Sequence, residues 1–148
     1  MKDQMNGENI KSILSNSTMT EGFYIREFEE NDFPHIQKIY ENEGWLTIVN
    51  RPNDGLKAFK NSDIALVAIY EDKVVGVVRG LTDTEITTYI VELIINEEFR
   101  GKGLGKSLIN ACHLLYPRTR IEVLGTTNSK DFYRANEFRE FFGFRKSF

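Results

Sequence analysis

A short glycine-rich, basic segment carries the most specific chemical signal in the sequence. Residues 100–107 read Arg-Gly-Lys-Gly-Leu-Gly-Lys-Ser, so glycines alternate with other residues, three of them cationic. Glycines at this spacing leave the backbone free of side chains over one turn, and consecutive N–H groups can then point outward where a helix begins. Unpaired N–H groups and the positive end of a helix dipole attract phosphate. The segment is therefore predicted to bind a phosphate group.

Three phosphate-binding patterns compete for this loop. A Walker A loop requires Gly, four residues and Gly-Lys-Ser/Thr; residues 105–107 supply its second half, but Gly101 lies one residue too close. A dinucleotide fingerprint requires G-x-G-x-x-G, and the third glycine here comes one residue early. The third pattern, R/Q-x-x-G-x-G/A after an apolar strand, is met by Arg100, Gly103 and Gly105. The loop alone is also compatible with a strand-to-helix turn that binds nothing.

A predicted strand enters the loop and a predicted helix leaves it. Residues 86–95 are rich in apolar and β-branched side chains, and residues 106–115 continue with apolar side chains at helical spacing until Pro117 stops the helix. Residues 64–70 and 74–81 form a hairpin about a polar Glu-Asp-Lys turn. The sequence therefore predicts three antiparallel strands that lead into the loop.

The flanking segments complete an α+β fold in the order β-α-α-β-β-β-α-β-α-β-β. Before the hairpin the pattern predicts a strand at 23–28, helices at 32–43 and 52–61, and an extended or loop segment at 45–49. After the loop helix it predicts a strand at 120–124 parallel to 86–95, a helix at 129–135, and closing strands at 138–142 and 144–148. We expect a mixed, mostly antiparallel central sheet flanked by helices on both faces. One domain spans residues 21–148, and residues 1–20 form a loose N-terminal tail or a marginal helix.

Composition and charge exclude several classes of protein. A net charge of −3 over 148 residues argues against a nucleic-acid partner, which needs a broad basic face. A single cysteine, Cys112, excludes an internal disulfide and is expected in the core, and two histidines argue against a zinc cluster. No apolar run is long enough to span a bilayer, and the N-terminus lacks the apolar core of a signal peptide. A soluble cytoplasmic protein with no metal and no membrane partner is the simplest expectation.

Two motifs together resemble those of the GNAT N-acetyltransferases. The pattern in residues 100–105 is similar to the acetyl-CoA pyrophosphate loop of that family. A second set of residues resembles its N…F-Y-x-x-x-G-F segment: Asn128, Phe132, Tyr133 and Phe138. Glu137 stands where that segment usually has glycine. The resemblance covers residues 23–148 and implies a GNAT-like fold. It also implies an acyltransferase that moves an acetyl group from acetyl-CoA, its co-substrate, to a primary amine by direct attack through a tetrahedral intermediate.

The resemblance also implies roles for individual residues. The backbone of Leu93 and Ile95 would pair with the pantetheine arm, and a backbone N–H near Ile94 or Ile95, freed by a bulge, would stabilise the oxyanion. Tyr133 would protonate the departing thiolate, and Glu92 would deprotonate the amine directly or through water. The residues implied in cofactor binding are Leu93, Ile94, Ile95, Arg100, Gly101, Lys102, Gly103, Leu104, Gly105, Lys106, Ser107, Asn128 and Phe132.

Each of these roles has a structural alternative. Glu92 alternates with apolar neighbours, so its carboxylate lines a cavity, pairs with a cation or lies on an open face. Tyr133 is compatible with a core aromatic beside Phe132, and Asn128 with a helix cap. At the level of function, the alternatives are a non-catalytic CoA-binding sensor and a peptide or protein N-acetyltransferase.

Neither motif specifies the acceptor. In this architecture residues 32–61 and the C-terminal strands would build the acceptor pocket, and a small-molecule amine is the expected partner. Glu41, Glu43 and Glu92 favour a cationic amine by charge alone. The aromatic-rich residues 138–148 are a candidate subunit contact, which would allow a homodimer.

Overall fold

Strand pairing in the computed structural model, which describes residues 5–148, gives one five-stranded sheet. Its strands lie in sequence order: β1 (Phe23–Glu27), β2 (Ile64–Tyr70), β3 (Lys73–Thr82), β4 (Thr87–Ile95) and β5 (Arg120–Val123). Neighbours from β1 to β4 are antiparallel, whereas β5 runs parallel to β4. The predicted α+β class and the parallel strand after the loop helix are both confirmed.

Six α-helices among residues 5–148 flank the sheet. They are α1 (Gly7–Leu14), α2 (Phe33–Asn42), α3 (Leu46–Asn50), α4 (Pro52–Asn61), α5 (Leu104–Leu115) and α6 (Lys130–Ala135). Helix α4 has the predicted bounds because Pro52, which lacks an N–H, fits a first helical turn. Helix α3 falls where an extended or loop segment was predicted, so that prediction is wrong. None of the helices within residues 5–148 is long and apolar enough to cross a bilayer.

Each face of the sheet has its own apolar core. On one face, α1 and α5 pack with the sheet around buried side chains such as Leu66, Ile90 and Leu108. On the other face, α2, α3 and α4 pack around a second set that includes Phe59 and Ile94. Cys112 of α5 is 1% exposed, which confirms its predicted place in the core. Burial raises the pKa of this thiol to about 12.

A β-bulge interrupts β4 at the middle of the sheet. Arg79 of β3 is opposite Glu92, but the next residue, Gly80, is opposite Ile90, so Val91 is the extra residue. Side chains of a regular strand alternate between faces, and an extra residue shifts this alternation. Ile90 and Ile94 therefore pack in different cores although they are an even number of residues apart.

The two closing strands predicted at 138–142 and 144–148 do not form. After α6 the described chain contains no strand, and four phenylalanines there are at least 78% exposed: Phe141, Phe142, Phe144 and Phe148. A strand needs a neighbouring edge for its hydrogen bonds, and β5 offers only four residues. The segment instead packs against Leu124, the residue after β5, through the backbone of Gly143.

Of the two alternatives predicted for the N-terminal segment, a loose tail or a helix around residues 9–14, the helix forms. Helix α1 begins at the Asn6 cap, whose side chain accepts the N–H of Asn9, and Leu14 is buried in the core shared with α5. Residues 1–4 of the predicted tail lie outside the described part of the chain.

Candidate active site

A wedge opens in the sheet where β4 and β5 part. The two strands are paired from Thr87 opposite Arg120 to Ile90 opposite Val123, and the rest of β4 has no partner on that side within residues 5–148. The parting begins at the bulge at Val91. Residues 91–95 therefore present a bare backbone edge, to which an extended ligand can add as a strand.

Backbone groups of two residues point into this wedge. Asn96 donates its N–H to Val75 O of β3, and successive residues of a strand direct their N–H and C=O groups to opposite sides. Leu93 and Ile95 consequently direct theirs away from β3, toward the wedge. The contact from Arg100 Nε to Ile95 O, 3.0 Å, is made on that open side.

The glycines of the loop that follows β4 serve two purposes. Gly101 and Gly103 have φ of 76° and 80°, a backbone region that side chains disfavour. Gly105 instead lies inside α5, where an added Cβ would come 2.9 Å from Phe132 Cζ. The first two glycines thus permit the turn, and the third permits close packing of α6 on the start of α5.

Helix α5 begins without a side-chain cap. Its N-cap is Gly103, and the first helical bond runs from the Ser107 N–H to Gly103 O. The N–H groups of Leu104, Gly105 and Lys106 accordingly have no acceptor among the described residues. Together with the helix dipole, they form a site suited to a phosphate anion at the end of the wedge.

Arg100 links this loop to the helices on the opposite side of the wedge. Besides its bond to Ile95 O, its guanidinium forms an ion pair with Glu43, just after α2. The turn after α2, which includes Gly44 and the partly exposed Trp45, therefore lies beside the loop. This places residues of the predicted acceptor region at the edge of the wedge.

Helix α6 brings Tyr133 to the same region. The Phe132 ring packs against Gly105, and Tyr133 follows it, with its ring beside Gly125 just after β5. Burial raises the pKa of Tyr133 to about 12, so the phenol keeps its proton at neutral pH. Its hydroxyl has no hydrogen-bond partner among residues 5–148. Asn128 is exposed in the turn before α6.

A left-handed residue ends α6. The N–H of Phe138 donates to Tyr133 O and that of Glu137 to Arg134 O, the hydrogen-bond pattern of a Schellman motif. Glu137 has φ of 66°, which explains why glycine suits this position.

Glu92 lies on the other side of β4, toward α2, in a buried ion pair. Its Oε2 accepts from Tyr40 Oη at 2.8 Å and from Arg79 Nε at 2.6 Å, and its Oε1 accepts from Arg79 Nη2 at 2.7 Å. The Glu92 and Arg79 side chains are 16% and 13% exposed. Burial and the Glu92 carboxylate raise the pKa of Tyr40, which stays a neutral donor. Of the three alternatives left open by the sequence, the structure selects pairing with a cation.

The structure thus brings most predicted residues together and corrects one detail. Leu93, Ile95, residues 100–107, Phe132 and Tyr133 surround the wedge. The predicted bulge lies in this strand, at Val91; Ile94 directs its backbone toward β3, so of the two predicted residues Ile95 has the better-placed N–H, together with that of Leu93.

Sequence reasoning missed Arg79 and Tyr40 entirely. The available signal for Arg79 was that it is a lone arginine in an otherwise apolar strand, and that the next strand carries a lone glutamate, Glu92. No cluster of three or more His, Cys, Asp or Glu side chains among residues 5–148 is arranged to hold a metal.

Comparison with known proteins agrees with this geometry. The family model described as "Acetyltransferase (GNAT) domain" matches residues 61–140. An uncharacterized N-acetyltransferase, ycf52, of Gracilaria tenuistipitata var. liui is 32% identical over 79 residues, which are 50% of this chain and 42% of that protein. A second ycf52 protein, from Pyropia yezoensis, is 29% identical over 92 residues, 59% of this chain and 51% of its own length. The chain thus spans about half the length of the curated relatives it matches.

Two solved structures illustrate the shared fold. A GNAT family acetyltransferase from Streptococcus pneumoniae TIGR4 superposes with a TM-score of 0.66 at 20% identity, covering 82% of this chain and 88% of that one. An aminoglycoside acetyltransferase from an uncultured soil metagenomic sample, in complex with sisomicin, gives a TM-score of 0.68 at 21% identity, with coverage of 86% and 97%. At these identities the likeness establishes the fold. With a family model that matches more than half of its residues, the chain belongs to the GNAT family of acetyltransferases.

Proposed function

We propose that this protein is an acetyl-CoA-dependent N-acetyltransferase that acts on a small cationic amine. The observation that carries the proposal is the wedge between β4 and β5, which ends at the uncapped start of α5. A bare strand edge suits the amide groups of a pantetheine arm, and unpaired helix N–H groups suit a diphosphate. The two features lie in the order in which CoA carries those groups.

The residues around the wedge divide the work of binding. The N–H groups of Leu104, Gly105 and Lys106 donate hydrogen bonds to the diphosphate, and Lys102 and Lys106 add positive charge. Leu93 and Ile95 pair with the pantetheine amides. Ile95 O is already bonded to Arg100 in the free protein, so we expect the Arg100 side chain to move when the arm binds.

Two groups of this chain serve the chemical step. Acetyl-CoA, when bound, supplies an acetyl thioester, which a neutral amine attacks directly to give a tetrahedral oxyanion. A backbone N–H of β4 that points into the wedge stabilises that oxyanion. Tyr133, protonated and free of other hydrogen bonds, donates a proton to the departing thiolate.

Glu92 as the base that deprotonates the amine stays a prediction, and its contacts favour a different role. Three donors already occupy the carboxylate, so only about one of its four lone-pair sites is open to an amine. The ion pair instead joins Arg79 and Glu92, the last regular pair beside the bulge at Val91. We propose that Glu92 holds the bulge in place and that solvent removes the proton from the amine.

A small cationic acceptor is supported by charge near the wedge. Glu41 is exposed at the end of α2, and the Trp45 ring, 37% exposed, packs edge-on against Tyr40 with 6.0 Å between ring centroids. Carboxylates and an aromatic face are the groups that recognise ammonium ions. The similar aminoglycoside acetyltransferase, solved with sisomicin, also favours a polyamine-like acceptor for this chain.

An acetylation assay separates the proposal from its alternatives. Purified protein is incubated with acetyl-CoA and a panel of amines that includes polyamines, aminoglycosides and peptides, and the free thiol of CoA is followed. We expect turnover with a small cationic amine and a fall in kcat of about 10²-fold or more in Tyr133→Phe, since general acids contribute on this scale. CoA binding without turnover across the panel would favour a sensor, and turnover on peptides alone would favour a protein acetyltransferase.

A further inference from the structure

Residues 18–23, which lead from α1 into the first residue of β1, contact the phosphate loop (residues 100–107) and the residue before it at three successive points. At the front of the loop, the rings of Phe23 and Phe99 meet edge to face with 6.1 Å between centroids. In the middle, the Thr20 hydroxyl donates to Lys102 O at 2.9 Å. Behind it, the Ser107 hydroxyl donates to Thr18 O at 3.1 Å. Residues 18–23 therefore follow the loop along its length.

The contact from Thr20 fixes the orientation of one peptide group. In a trans peptide the C=O and the following N–H point in opposite directions. Because Lys102 O points to Thr20, the Gly103 N–H points away from it. An added Cβ at Gly101 or Gly103 would meet no atom within 4 Å, so no neighbouring side chain packs against these two glycines. The Thr20 hydroxyl is therefore a specific contact that favours this orientation of the peptide.

The side chain of Thr20 is exposed, and its backbone is tied to neighbouring residues. Its carbonyl accepts the N–H of Phe23, the first residue of β1, at 3.0 Å. On its other side, Met19 packs on the core shared by α1 and α5, where Leu14 is 5% exposed. The hydroxyl is thus presented to the loop from a fixed point of the fold.

We propose that Thr20 is a positioning residue for diphosphate binding. Its hydroxyl orients the Lys102–Gly103 peptide so that the Gly103 N–H faces the diphosphate of CoA together with the first N–H groups of α5. The inference rests on the proposed function, since it assumes that the loop binds CoA. It gives residues before β1, which lie outside both motifs, a part in the affinity for CoA.

Calorimetry with matched variants tests this role. Thr20→Val removes the hydroxyl and keeps the shape, Thr20→Ser keeps the hydroxyl, and Thr18→Val makes the same change at an exposed neighbour that contacts the loop only through its carbonyl. We expect Thr20→Val to raise the Kd for CoA about tenfold, which is the loss in affinity expected when one hydrogen bond to a charged group is misplaced. Thr20→Ser and Thr18→Val should bind CoA like wild type.

Pantetheine, which lacks the diphosphate, is the second probe, and thermal unfolding checks the fold. We expect Thr20→Val to bind pantetheine like wild type and to melt at the wild-type temperature. The inference is overturned if Thr20→Val binds CoA as tightly as wild type, or if it loses CoA and pantetheine affinity alike. If the wild-type protein fails to bind CoA, the proposed function and the inference both fall. If the wild-type protein binds CoA and Thr20→Val binds it equally tightly, the inference falls and the proposed function stands.

Discussion

Replacing Glu92 by glutamine decides between a base and a structural ion pair. The amide oxygen of Glu92→Gln can still accept from Tyr40 and Arg79 Nε, but its NH₂ group faces the Arg79 Nη2 donor, which now lies 2.7 Å from the position of Oε1. The arginine charge, 13% exposed, also loses its partner. Breaking a buried pair costs about 3–5 kcal/mol, so with partial exposure we expect a loss of about 2–4 kcal/mol in unfolding free energy.

Urea unfolding and steady-state kinetics on the same preparation measure the two effects separately. We expect kcat per folded molecule to stay within about threefold of wild type, whereas loss of a general base lowers it by about 10²–10⁴-fold. Glu122→Gln is the matched control, because Glu122 pairs with Arg120 at 2.9 Å on the surface, where such a pair contributes little. Wild-type stability combined with a kcat lowered more than about a hundredfold would refute the structural role.

Two further predictions concern stability. Glu137→Gly should raise the unfolding free energy by about 0.5–1 kcal/mol, because glycine relieves the strain of a left-handed residue at φ of 66° at some entropic cost. Glu137→Ala, which keeps a Cβ, should give no gain. Chemical denaturation of the wild-type protein and both variants measures this, and equal stability of all three would contradict it. The melting temperature should fall as pH rises above about 9. Burial raises the pKa of Cys112 and of Tyr133 to about 12, so the folded protein keeps two protons that the unfolded chain releases in this range. Scanning calorimetry from about pH 8 to 10.5 tests this, and a melting temperature that does not fall over that range would exclude the linkage.

The sequence predicts well wherever local chemistry decides the structure. Pro52 marks the start of α4, and the Glu-Asp-Lys turn defines the hairpin of β2 and β3, because a single residue or a short turn suffices in each case. The turn of the phosphate loop belongs to the same class, since Gly101 and Gly103 are required by its own backbone conformation. These features could be derived without knowledge of any distant contact.

Features that depend on contacts far along the chain were missed. Thr20 meets Lys102 across 82 residues, and Tyr40 meets Glu92 across 52, so no local pattern marks either of them. The closing strands failed for a related reason: their aromatic residues suit a strand, but strand formation also needs a free edge that the sequence does not specify. The bulge at Val91, which lies where the wedge begins, likewise depends on pairing with β3.

Mapping the amide resonances that move when CoA is added tests the central claim most directly. Two-dimensional NMR of labelled protein should show the largest shifts at Leu93, Ile95 and residues 101–106, with little change at β1. The same residues should stay unmoved when CoA is replaced by an equal concentration of adenosine, which carries neither diphosphate nor pantetheine. Millimolar CoA that leaves these amides in place, or that shifts a different face of the sheet, would contradict the account.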